Sequence, residues 1–133
     1  MTSIKILGLI LLTHWTTSLF ANEINYPLKF NKGRLSTVTE ACIQPNDRHH
    51  YPLVAKAGQA ISIALTANTN AVMFRLAYKN PAQQWQFLLL DKDYSSNAWF
   101  GTLPNSHQGH YLIQIEQVRD SSCYEMFVGI GGN

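Results

Sequence analysis

Apolar side chains recur at every second position along most of this chain. The clearest stretch is residues 51–65, YPLVAKAGQAISIAL, where Leu53 and Ala55 alternate on the way in. Ile61, Ile63 and Leu65 alternate on the way out, with Ser62 and Ala64 on the other side. A period of two marks strand, not helix. Between the two runs Lys56-Ala57-Gly58 supplies a turn, its glycine free to take positive φ. The pattern predicts a hairpin with one apolar face. Such a hairpin needs a second layer to cover that face, so it implies a sheet packed on something.

The same alternation recurs on both sides of this stretch. Leu28-Lys29-Phe30 reads as a short strand closed by Asn31-Lys32-Gly33. Residues 34–43 are rich in β-branched side chains, which favours strand, but the two faces differ little in polarity. Gln44-Pro45-Asn46-Asp47 is turn chemistry, and 66–70 (TANTN) reads as a polar loop. In 71–79, Val72, Phe74, Leu76 and Tyr78 share one face; in 83–90, Trp85, Phe87 and Leu89 oppose Gln84, Gln86, Leu88 and Leu90. The run from Phe87 to Leu90 is apolar on both faces, which predicts a far end covered on both sides. Residues 91–97 (DKDYSSN) form the most polar loop. After strand 98–103, Tyr111, Ile113 and Ile115 point inward with Gln114 and Glu116 outward, and a last strand carries Tyr124, Met126 and Val128.

About eight short strands at even spacing, with no helical period, predict an all-β fold. An antiparallel β-sandwich of jelly-roll type is the expected architecture.

Residues 1–21 have a different character. Lys5 is followed by an unbroken apolar run from Ile6 to Leu12, with Gly8 inside it, and the stretch ends on Ser18-Leu19-Phe20-Ala21. This is the pattern of a secretory signal peptide cut after Ala21. The run is too short for the roughly 20 apolar residues a membrane span requires. Removing it leaves 22–133 as one domain, 133 − 21 = 112 residues. The chain's ten Lys plus Arg against eight Asp plus Glu then become nine against eight, since Lys5 is lost. A balance this even, with the charges scattered, offers no electrostatic basis for nucleic-acid binding. In an oxidising compartment Cys42 and Cys123 are expected to form a disulfide.

Chemistry is sparse. His49 and His50 are adjacent and point to opposite faces of a strand, and His107 and His110 flank a loop glycine. These read as ordinary exposed histidines, with no HExxH and no third ligand, so no metal or other cofactor is expected. Asp91 and Asp93 lie in a polar loop with Lys92 and read as solvated surface. No nucleophile elbow or phosphate loop appears, and a non-enzymatic protein is expected. Trp85, Trp99, Tyr94 and Tyr51 lie in or beside loops, where aromatic side chains often anchor a partner. Trp85 and Trp99 also suit core or cross-strand positions, which leaves Tyr94 as the surface candidate.

One series of motifs carries a resemblance. Phe30-x-x-Gly33 precedes Ser36-Thr37, and Tyr51-x-Leu53-x-Ala55-Lys56-x-Gly58-Gln59 follows. Then come Gly101-x-Leu103-Pro104, Gly109-x-Tyr111-x-Ile113 and Tyr124. The series resembles the pre-peptidase C-terminal type of β-sandwich, and within it the periplasmic inhibitors of g-type lysozyme. That resemblance implies an exported, non-catalytic sandwich whose loops at one end enter a lysozyme cleft. It assigns partner contact to Arg119, which matches an arginine of the inhibitors. It also points to Asn46, which stands where they carry a tyrosine, and to Asn68 and Thr69. Here Thr66-Ala67-Asn68-Thr69 occupies the place of their Ser-Asn-Glu-Gly stretch, so the acidic residue and the glycine are missing. The two cysteines are an addition to the pattern. The partner expected is therefore a protein, a lysozyme; the alternative is a glycan or an envelope protein bound through Tyr94 and the tryptophans. The location expected is periplasmic or secreted.

Overall fold

The computed structural model describes residues 22–68, 72–88, 97–117 and 121–131. Nine strands are described: β1 Asn22–Asn25, β2 Ser36–Ile43, β3 Asp47–Val54, β4 Ala60–Ala67 and β5 Val72–Lys79. They continue as β6 Trp85–Phe87, β7 Ala98–Thr102, β8 His110–Gln117 and β9 Ser122–Ile130. One 3₁₀ turn, His107–Gly109, precedes β8. The strands make two stacked sheets, ordered β1-β3-β8-β5-β6 and β2-β9-β4-β7. This order, with successive strands crossing repeatedly between layers, is that of a jelly roll, and every pairing is antiparallel except the parallel β1–β3 edge. No described helix is long and apolar enough to cross a membrane.

The two layers bury the side chains that the alternation marks. Tyr51, Leu53, Phe74, Leu76, Tyr111, Ile113 and Ile115 come from the five-stranded sheet, and Ile61, Ile63, Leu65, Tyr124, Met126 and Val128 from the other. The even-polarity strand β2 turns Thr37, Thr39, Ala41 and Ile43 toward the core side, with only Ile43 fully buried.

The stretch 51–65 is not a hairpin. β3 pairs with β8 and β1, while β4 pairs with β7 and β9, so the turn at 55–59 carries the chain from one sheet to the other. Alternation is the same for a hairpin and for such an arch. The difference lies in the partners, which are remote in sequence. Glycine serves the arch as expected: Gly58 takes φ +84°, and its N–H donates to Leu103 O at 2.9 Å. β5–β6 is the hairpin between consecutive described strands, closed through Asn80–Gln84.

Other expectations also change. Leu28 and Phe30 do not form a strand; they pack half-buried on the core, and the N-terminal strand is instead the polar Asn22–Asn25. Thr66 and Ala67 belong to β4 and not to a loop. His49 and Tyr51 are fully buried rather than exposed, because they share the inward face of β3 with Leu53. Gln114 faces out but is buried under its neighbours, accepting a hydrogen bond from His50 Nε2 at 3.1 Å and donating to Glu116. Trp85 and Phe87 stand exposed on the edge strand β6, whereas Trp99 packs against the core with its ring over Gly101. Leu89 and Leu90 lie outside the described residues. Cys42 and Cys123 are bonded, tying β2 to β9 at directly opposed positions on the outer face.

Candidate functional site

The register puts the ends of many strands together. Ile43 pairs with Ser122, Ala67 with Tyr124, Arg48 with Glu116 and Val72 with Gln117. The C-termini of β2, β4 and β8 and the N-termini of β3, β5 and β9 therefore share one end of the sandwich. Two of the expected contact residues, Asn46 and Asn68, are described, and both lie at this end.

Asn46 occupies the three-residue crossing from β2 to β3. It takes φ +68°, a left-handed conformation that asparagine tolerates better than most side chains. Its carbonyl accepts from Asn22 N–H at 3.0 Å, and Asp47 N–H donates to Gln44 O at 3.1 Å, so both backbone sides of the crossing are held. The Asn46 side chain is exposed. Asn68 stands where β4 ends. Its Oδ1 accepts from Ser122 Oγ at 2.5 Å and from Cys123 N–H at 3.3 Å, anchoring the start of the following loop to β9. Ser121 Oγ donates to Gln44 Oε1 at 2.6 Å, joining this strand end to the β2–β3 crossing. Three strand connections are thus tied by side-chain hydrogen bonds to positions far away in sequence, on top of a disulfide. The result is a braced rim with exposed amides. Thr69, Tyr94 and Arg119 lie outside the described residues, as do Asp91 and Asp93.

The opposite end is closed by backbone pairing. Ala55 N–H donates to Gly109 O, Leu103 N–H to Gln59 O, and Gly131 N–H to Ala60 O, at 2.7 to 3.0 Å. The Tyr111 hydroxyl donates to Pro104 O. Trp85 lies toward this end, opposite Lys79 in register, and its ring carries the Lys79 ammonium at 5.0 Å. Because Trp99 packs on the core and Trp85 sits at the far edge, the two tryptophans do not assemble the aromatic patch that a glycan site would use. Both lie beside loops in the sequence, but Trp85 belongs to the five-stranded sheet and Trp99 to the four-stranded one.

A polar cluster lies beneath the rim, inside the core. Tyr124 Oη is 2.5 Å from Tyr51 Oη and 2.7 Å from His49 Nδ1, with Tyr26 stacked on Tyr51 and edge-on to His49. Burial lowers the basicity of His49, overriding the nearby Asp47 carboxylate that raises it. Burial likewise raises the Tyr51 and Tyr124 hydroxyls above the usual phenol range. Near neutral pH these groups serve the core as neutral hydrogen-bonding elements. The parity of His49 with Tyr51 and Leu53 is the signal that could have placed it in the core. Among the described residues no group of three or more His, Cys, Asp or Glu side chains could hold a metal ion. His107 lies in the 3₁₀ turn and His110 opens β8.

No protein-family model and no curated relative matches the sequence. Solved structures do match. The periplasmic lysozyme inhibitor of g-type lysozyme (PliG) from Aeromonas hydrophila is 29% identical, over 82% of this chain and 97% of that one, with a TM-score of 0.67. PliG from Salmonella Typhimurium is 21% identical over 80% of this chain and 96% of that one, with a TM-score of 0.56. A mutant PliG from Escherichia coli is 20% identical over 83% of this chain and 99% of that one, with a TM-score of 0.57. At that lower identity the last two show a shared fold. The chain therefore has the architecture of the periplasmic g-type lysozyme inhibitors over nearly their whole length.

Proposed function

We propose that this protein, built on the architecture of the periplasmic g-type lysozyme inhibitors, is itself an exported binding protein without catalysis whose target is a g-type lysozyme. The observation that carries the reading is the match to Aeromonas hydrophila PliG, which runs over 97% of that chain at 29% identity. The motif series from Phe30 to Tyr124 falls on the strands and turns that build this sandwich. The braced rim holding Asn46 and Asn68 is the end that meets the enzyme, with Thr69, Arg119 and Tyr94 as further contacts. The hydrogen-bonded crossing at 44–46 suits a docking role, because a segment already held by its own bonds loses less entropy on binding.

Export fits the chemistry of the chain. The Cys42–Cys123 disulfide requires an oxidising compartment such as the periplasm. Removal of residues 1–21 as a signal peptide would leave Asn22, the first residue of β1, as the new N-terminus.

Titration of a g-type lysozyme with the protein comprising 22–133 tests the reading. The expected result is loss of cell-wall lysis that reaches completion near one equivalent. Full lytic activity in a large excess of the protein rejects it.

A further inference from the structure

The two sheets differ in charge. β2, β4, β7 and β9 contain no lysine, arginine or histidine, whereas β3 and β5 supply Arg48, Arg75 and Lys79 to the other sheet. Two glutamates stand on the outer face of the four-stranded sheet. Glu40 and Glu125 are direct partners in the β2–β9 register. Like charges so placed across antiparallel strands destabilise the pair. Neither glutamate meets a cation among the described residues. Glu116 on the other sheet is different, with Arg48 at 4.0 Å and Arg75 at 3.8 Å.

Beside the glutamates the same face is apolar. Val38 lies opposite Phe127, and the next row runs Ser36, Gly129, Ser62, Phe100. Phe127 packs against Gly129, where a Cβ would come within 3.1 Å of its ring. Small residues thus form a floor between two aromatic side chains. Phe100 is 74% exposed, Leu35 58% and Val38 55%. Single exposed apolar residues are ordinary, but a contiguous set on a flat sheet face marks a contact surface. A shallow depression of about 580 Å³, lined by Glu40, Glu125, Thr66, Asn68 and the disulfide, connects the acidic pair to the braced rim.

We infer that this face is a second contact surface, shaped for a protein partner that presents a basic patch set in aliphatic surface. The partner's lysine or arginine groups neutralise the Glu40–Glu125 pair, and its aliphatic groups cover Val38, Phe100 and Phe127. The charge selects this occupant over the others. Packing of a second copy face to face about a twofold axis would bring four carboxylates together, and an anionic membrane would be repelled. The inference rests on the proposed lysozyme binding and extends that contact from the rim along the sheet.

Calorimetric titration against a g-type lysozyme, at low and at physiological salt, tests it with two variants. E40Q/E125Q is expected to weaken Kd about tenfold at low salt and to flatten the salt dependence. Its melting temperature should stay level or rise, since a repulsion is removed; a merely structural role for the pair would lower it. V38S/F100S is expected to weaken Kd by about the same factor. Wild-type binding that both variants retain overturns this inference and leaves the inhibitor reading intact. No binding by the wild type overturns the inhibitor reading and this surface with it. Wild-type self-association in sedimentation that V38S/F100S abolishes also overturns the inference, in favour of a second copy.

Discussion

Tyr51 and Tyr124 meet hydroxyl to hydroxyl at 2.5 Å between the two sheets of the sandwich. Tyr51 comes from β3 and Tyr124 from β9, so this polar contact bridges layers held largely by hydrophobic packing. Tyr124 also reaches His49 Nδ1 at 2.7 Å, which makes it the central member of the cluster.

Tyr124→Phe should therefore destabilise the core. It leaves the Tyr51 hydroxyl and His49 Nδ1 buried without that partner, at a cost of about 1–3 kcal/mol. Tyr51→Phe should cost less, and the double variant less than the sum, because the two share one bond. Urea unfolding of the three variants, compared at equal m, measures all of these terms.

Acid should weaken the fold through His49. Its folded pKa lies below the ordinary 6.5 because burial disfavours the imidazolium. Above about 6.5 the ring is neutral in both states and stability is fully present. As pH falls from there toward the folded pKa, the unfolded chain takes up a proton that the folded one refuses, and stability is lost. Unfolding midpoints measured between neutral and mildly acid pH should fall in the wild type and stay flatter in His49→Phe.

The Cys42–Cys123 bond closes a separation of 81 residues. In the chain-entropy model such a loop contributes about 4 kcal/mol, mainly by restricting the unfolded chain. A reducing agent, or C42S/C123S, should lower the denaturant midpoint accordingly while the strand signal in circular dichroism persists below the transition.

Two glycines with similar backbone angles should respond differently to alanine. Gly58, at φ +84°, has open space where a Cβ would go, so Gly58→Ala costs about 1 kcal/mol of backbone strain. Gly109, at φ +70°, would place its Cβ 2.5 Å from Ala55 O, in a loop closed by the Ala55 N–H bond to Gly109 O. Gly109→Ala adds that collision to the same strain, and thermal melts should separate the two variants clearly.

The strands were readable because alternation at every second position is a local signal. It marks strands at β2 to β9, while the Cys42–Cys123 pair follows from an oxidising compartment and a count of two cysteines. What alternation does not carry is the identity of a strand's neighbour. Residues 51–65 look alike as a hairpin or as an arch, and the choice is made by β8 and β9, some fifty residues on or more. β1 carries no such signal because Asn-Glu-Ile-Asn lacks a buried face; as an edge strand it is held by backbone bonds to β3. The residue type of His49 suggests surface, whereas its parity with Tyr51 and Leu53 sets it in the core. Of the rim, the turn chemistry of Asn46 was legible in sequence. The bracing of Asn68 by Ser122 and Cys123 was not, since it depends on contacts more than fifty residues apart.

The most direct test of the account is a hydrogen-exchange footprint of the protein bound to a g-type lysozyme. The account predicts added protection of backbone amides at 44–46 and 66–68, with 55–59 and 103–106 unchanged. Protection confined to that far end, or none at either, contradicts it.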